Sequence, residues 1–246
     1  MRQALALFTA FVVCLAFGCS KAGQHGSPRS PNGSSLQEVR RVTQAARAGE
    51  VLASMQADLE GDGKPETIAI TCRKLEDGRP MGGEVVVLQP KDGSLGLVWR
   101  QRELNPWKLW LADVDGDGKR EIVVGVWKKS PKDPVMAKRT FVYSWNGKRM
   151  LPKWLGSRLS RRFDDFALAD INKDGWDELL ALEVAPKGKH RVAAYRWRCF
   201  GFDWLGCSEE KAGLTGLTSE HDNVTVAAPN GKLKVKYSNG KLSLIR

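Results

Sequence analysis

The sequence is poor in the residues that ordinarily carry chemistry. It has three histidines, His25, His190 and His221, and none sits beside a recognisable nucleophile. G-x-S-x-G, a glycine-rich phosphate loop and H-E-x-x-H are all absent, which removes serine hydrolases of the elbow type, P-loop nucleotidases and HExxH metalloproteases. The five cysteines lack the spacing of a zinc site. After residue 19 no apolar run approaches the roughly 20 residues that span a bilayer.

The apolar residues that do run together are at the start. Residues 1–19, "MRQALALFTAFVVCLAFGC", have one early arginine, Arg2, and are apolar from Ala4 to Phe17. This is the charge and hydropathy order of an export signal. Its "LAFGC" ending resembles a bacterial lipoprotein signal, which implies lipidation at Cys19, with Gly18 before it. Ser20 after that cysteine implies sorting to the outer membrane, so the expected location is the cell envelope, lipid-anchored. Residues 20–35 are nearly devoid of apolar side chains and read as a flexible tether with an r.m.s. reach of roughly 20–25 Å. Residues 36–246 are then one folded domain. Ser35 and Glu38 fit a capping box and Gly49 a helix stop, which predicts a short helix over 36–48.

In an exported chain, Cys199 and Cys207 of "CFGFDWLGC" are candidates for a disulfide across a hairpin. Cys72 is left as the odd thiol, in the strand-like "TIAITC".

A repeat organises the rest. Asp58 opens "DLEGDGKPE", Asp113 opens "DVDGDGKRE" and Asp170 opens "DINKDGWDE". Alanine precedes each, and each is followed by an apolar, strand-like run: "TIAITC", "IVVGVW", "LLALEV". Asp-Gly and Asn-Gly pairs at 92–93, 146–147 and 239–240 predict tight hairpins. Repeats of about 55 residues with some four short strands predict an all-β chain, a small β-propeller of about four blades. The last unit, 223–246, lacks the acidic loop. A compact four-bladed ring is the expected form; an open array completed by self-association is the alternative. The nine tryptophans are expected in the packing between blades.

Carboxylates crowded on alternate positions repel unless a cation draws them together. Calcium accepts six to eight oxygens and tolerates mixed carboxylate and carbonyl ligands. The first loop offers Asp58, Glu60, Asp62, Glu66 and the Lys64 carbonyl. The second offers Asp113, Asp115, Asp117, Glu121 and the Lys119 carbonyl. The third offers Asp170, Asn172, Asp174, Glu178 and the Trp176 carbonyl. An EF-hand would need an acid at position 12, where this chain has Ala69, Val124 and Ala181. Glu60, longer than the usual Asp or Asn, is expected to strain the first loop, and the third carries one charge fewer. The pattern D-x-[DEN]-x-D-G-x-x-E resembles the FG-GAP or VCBS repeats of integrin-α-like propellers. That resemblance implies calcium as the cofactor, blades stabilised by it, and a binding or adhesion surface rather than an active site.

Arg2 aside, the chain has 38 Lys and Arg; eleven of its 28 Asp and Glu are the candidate ligands of the three loops, leaving 17 others. The surface outside the loops is therefore strongly basic and suits anionic headgroups, envelope glycans or acidic proteins. Lipid-anchored export makes nucleic acid an unlikely partner. The expected function is a non-enzymatic binding or scaffold module; the alternative is a hydrolase or lyase of envelope polysaccharide.

Overall fold

The runs that follow the acidic loops are apolar at most positions, not at alternate ones, so both faces of the strands they form have to be buried. The computed structural model describes residues 33–246 apart from 131–132, 157–158 and 221. Cys19, most of the tether and His221 lie outside the described residues. One helix, α1 (Gly33–Ala45), precedes a series of meandering strands. The first sheet is built from β1 (Glu50–Ala57), β2 (Glu66–Cys72), an excursion through the hairpin β3 (Lys74–Glu76) and β4 (Arg79–Met81), then β5 (Val85–Lys91) and β6 (Ser94–Gln101). The second holds β7 (Pro106–Ala112), β8 (Glu121–Ser130), β9 (Asp133–Trp145) and β10 (Met150–Leu155). The third holds β11 (Phe163–Ala169), β12 (Glu178–Val184), β13 (Lys189–Arg198) and β14 (Gly201–Cys207), with β15 (Lys211–Ala212) paired to β13. The fourth holds β16 (Thr215–Glu220), β17 (Asn223–Ala228), β18 (Gly231–Ser238) and β19 (Lys241–Ile245). All pairings are antiparallel.

Period-two alternation explains how each sheet serves two neighbours. On β8, Ile122, Val124 and Val126 enter the core shared with the first sheet, while Val123 enters the core shared with the third. On β12, Leu179 and Ala181 face the second sheet's side, and Leu180 and Leu182 the fourth's. At about 1.5–3 kcal/mol per fully buried aliphatic side chain, these faces dominate the stability of the stack.

The sheets are not closed into a ring, which corrects the compact four-bladed expectation, and the physical reason lies at the two ends. The outer face of the first sheet, Ala69, Val86 and Leu88, is covered by Val39 of α1 and by Ala48. The Glu84 carboxylate, itself buried, receives a two-pronged bond from Arg100 at 2.5 and 2.6 Å, and Arg100 Nη1 donates to the Ala46 carbonyl at 3.0 Å. At the other end, β18 buries Val235 inward and exposes Lys232, Lys234 and Lys236, a charged finish of the kind that terminates a stack.

Two local expectations fail. The helix begins at Gly33 and ends at Ala45, so the tether is shorter than predicted and Ser35 lies inside the helix. Glu38 does not close a capping box; its carboxylate accepts the Leu95 amide of β6 at 2.6 Å, a contact invisible in local sequence. Gly49 is needed for a different reason: it has φ +105°, and a Cβ there would lie 2.3 Å from the Cys72 carbonyl oxygen. The Cys199–Cys207 bridge is also absent. Both thiols are free. Cys207 pairs with Ala193, whereas Cys199 follows the last pair of the hairpin, Arg198 with Gly201. Five strand residues, roughly 17 Å, separate those levels, far beyond the roughly 7 Å Cα limit of a disulfide. Cys72 is buried and free at the end of β2.

Gly125 of β8 meets the third sheet where Phe166 and the Trp107 ring close over it, each 2.8 Å from a hypothetical Cβ. Gly125→Val is expected to destabilise by about 1–3 kcal/mol through overpacking, read as a lowered urea midpoint with an unchanged slope.

Candidate metal centre

Each acidic loop closes the first hairpin of its sheet. Ala57 pairs with Glu66, Ala112 with Glu121 and Ala169 with Glu178. The small residue thus faces the glutamate that opens the next strand. All three loops share one hydrogen-bond skeleton. The first aspartate folds the turn by accepting backbone amides: Asp58 from Gly61, Asp62 and Gly63; Asp113 from Gly116 and Gly118; Asp170 from Lys173, Asp174 and Gly175. The aspartate at the fifth loop position accepts the amide two residues on: Asp62 from Lys64, Asp117 from Lys119, Asp174 from Trp176. The closing glutamate accepts the amide of the second loop residue, at 2.8 Å for Glu66 and 3.1 Å for Glu121 and Glu178.

The loops differ in what neutralises the remaining oxygens. Among the described residues, three carboxylates converge only in the second loop, where Asp113, Asp115 and Asp117 each offer an oxygen within 4.8 Å of the others. Asp115 Oδ1 is buried and has no hydrogen-bond partner. A cluster of hard oxygens with one of them orphaned fits a calcium ion. On the other side, Lys153 of β10 donates from Nζ to Asp115 Oδ2 and, at 2.7 Å, to Glu121 Oε1. This ammonium is a counterion built into the sheet. In the first loop Glu60 leaves the ring of ligands: its length carries it to the Trp145 indole, at 3.0 Å, and the Gln89 amide, at 2.7 Å. In the third, the Asn172 amide donates to Asp174 and Glu178, and Arg196 pairs with Asp174 at 2.7 Å.

Burial lifts the closing acids out of the usual carboxylate range. Glu121 is pushed up to about 7 by desolvation, against the pull of Lys153. Glu178 rises to about 8 from burial, then from Asp174. Glu66 is raised by burial as well. Burial therefore makes these closing acids costly to ionise without a cation beside them, an imbalance set by desolvation.

Sequence reasoning missed the groups that come from elsewhere. Lys153, Gln89 and Arg196 occupy no common place in the repeat, so no spacing marks them. It also missed the staple between the second and third loops: the Asp113 amide donates to Asp177 Oδ2 at 2.9 Å, and the Asp177 amide to the Asp113 carbonyl at 2.8 Å. Asp177 is pushed up to about 6 by its burial. The Trp176 ring lies over Gly116, whose hypothetical Cβ would fall 1.9 Å from the indole nitrogen. The loops thus tie adjacent sheets together as well as turning the chain.

Removing the internal cation is expected to expose that imbalance. In metal-free buffer, Lys153→Met should cost about 2–3 kcal/mol, below the full cost of breaking a buried pair because Asp115 is partly solvated. Urea unfolding with chelator present measures it.

No family model matches this sequence, and no curated protein matches it. Among solved structures the chain is similar to the Saccharomyces cerevisiae Sqt1 crystal structure, with a TM-score of 0.44 and 14% identity over 81% of this chain and 61% of Sqt1, so it spans less than two thirds of that structure's length.

Proposed function

We propose that this protein is an envelope-anchored, calcium-stabilised β repeat protein that binds an anionic polymer without turning it over. In this reading its sheets are blades of an FG-GAP- or VCBS-like propeller left open. Lipidation at Cys19 anchors it, in the outer membrane where the cell has one. Calcium takes the second loop through Asp113, Asp115 and Asp117, with Glu121 released from Lys153 to join them. It neutralises that cluster and holds the first hairpin of the second sheet shut.

The observation that carries the reading is the strong excess of basic side chains outside the three acidic loops. Every acidic loop joins the first two strands of a sheet, so all three lie at one end of the stack. The other end carries Lys128 and Lys129 in the last residues of β8, Arg161 and Arg162 before β11, and Lys187 and Lys189 at the turn into β13, with Asp133, Asp164 and Glu210 among them. Such a field attracts polyanions. The helix runs between these ends, since Glu38 meets Leu95 at the start of β6 and Ala46 meets Arg100 near its finish. A tether entering at Gly33 joins the acidic end and leaves the other end turned away from the anchor.

Retention on a polygalacturonate matrix tests the function. The protein should be held, release as salt rises, and liberate no oligosaccharide; released product would favour the hydrolase or lyase reading, and no retention would refute both. Calcium is tested by melting. With a Kd on the order of 0.1–1 mM, millimolar calcium adds roughly 0.4–1.4 kcal/mol per site, or about 1–5 °C in Tm. Asp117→Ala should lose the second loop's share, and Lys153→Met should enlarge the calcium response because the ion no longer competes with an ammonium. A Tm indifferent to calcium in all three proteins would rule the metal out.

A further inference from the structure

The end away from the acidic loops contains one recess with a definite chemistry. It lies between β9 and the residues Trp154, Gly156, Leu159, Arg161, Arg162 and Phe163, at the opposite end of the second sheet from the acidic loop. Its volume is about 30 Å³, and Lys138, Arg139, Thr140, Trp154, Arg161 and Arg162 line it. Thr140 is only 1% exposed, and its Oγ1 has no hydrogen-bond partner among the described residues. A buried hydroxyl left unpaired costs about 1–3 kcal/mol, so it marks a place where a partner belongs.

The surrounding cations are held in place by bonds that leave them short of anions. Arg139, itself buried, donates from Nε to the Lys128 carbonyl at 2.9 Å and from Nη2 to the Val135 carbonyl at 2.8 Å. Nη2 also donates to the Asp133 carbonyl at 3.2 Å. Its one acidic neighbour is Asp133, at 3.1 Å. Arg161 pairs with Glu210 at 2.8 Å. Lys138 sits over the Trp107 ring, 4.6 Å from its centroid, and donates to the Asp164 carbonyl. Arg162 is exposed and makes no ion pair among the described residues. Of these four cations, Arg139 and Arg161 each meet one carboxylate, Asp133 and Glu210, while Lys138 and Arg162 form no ion pair among the described residues.

We propose that this recess binds one oxyanion group, a phosphate or a carboxylate, carried by the anionic polymer; the inference rests on the binding function proposed above and names the site for it. Thr140 Oγ1 donates one hydrogen bond, and Arg139 and Arg162 supply charge-assisted ones. A space of this size admits the tip of such a group and excludes a sugar ring. The polymer is thus held by its charged substituents while its backbone stays outside, a mode that engages without enclosing a scissile bond.

Calorimetric titration of the protein with sodium phosphate and with sodium glucuronate, chloride balancing the ionic strength, tests the site. Saturable one-to-one binding is expected, and the two arms show which oxyanion fits. Thr140→Val and Arg162→Gln should each weaken it about tenfold or more. The calcium response should be unchanged, and Thr140→Val should melt no lower than the parent because it removes an unpaired hydroxyl. Absence of saturation with both ligands, equal affinity in the parent and both variants, or crystals grown in phosphate that hold only a water on Thr140 Oγ1 would overturn it. Retention on polygalacturonate without saturation would sink the site and leave the broader reading standing. Saturation without retention would do the reverse.

Discussion

A β-sheet with apolar side chains on both faces is unstable in water until both are covered, and nearly every feature of this molecule follows from how the chain meets that demand. Strands β2, β8 and β12 are buried along almost their whole length, so each of the first three sheets needs a cover on either side. The second and third find covers in their neighbours. The first has only one sheet beside it and takes α1 on its free face. The fourth avoids the demand with a lysine-bearing outer face. The stack ends where a face no longer has to be hidden, and a helix lying where a fourth sheet would have to dock is incompatible with a closed ring.

The same meander sorts the acidic loops. Because the first connection of every sheet points the same way, a repeated acidic loop is repeated at one end, while basic side chains occur at both, Lys148 and Arg149 beside the loops and Arg161 and Arg162 away from them. Within the acidic end the loops are not equivalent. Glu60 spends its carboxylate on Trp145 of the adjacent sheet, and the third loop is pinned by Arg196. Among the described residues only the second gathers three carboxylates, one of whose oxygens finds no hydrogen-bond partner there. The loops also join the sheets through the Asp113–Asp177 staple and the Trp176–Gly116 contact, so the conformation of one loop and the packing between two sheets are linked. Tryptophan plays a parallel part. Trp145, Trp154 and Trp197 are buried, as expected of packing between sheets. Trp107, Trp127, Trp176 and Trp204 instead stand at the margins with a cation over each ring, which lets a half-exposed ring keep a partner on its open side.

The amino-acid sequence by itself determined the periodic features: the all-β character, the nine-residue loops with their folding aspartates, the tight turns at Asp92-Gly93 and Asn239-Gly240, and the apolar runs that demand burial on both faces. Each is written in neighbouring residues, because a turn or a strand is decided by local backbone preference and by alternation along one segment. Tertiary structure alone decided where those segments meet. It turned Glu38 from a helix cap into an anchor on β6, set Cys199 and Cys207 at different levels of one hairpin, brought Lys153 to Asp115 from 38 residues away, and left Thr140 without a partner among arginines. No spacing announces such encounters, since they depend on which faces of distant strands are pressed together when apolar surface leaves water.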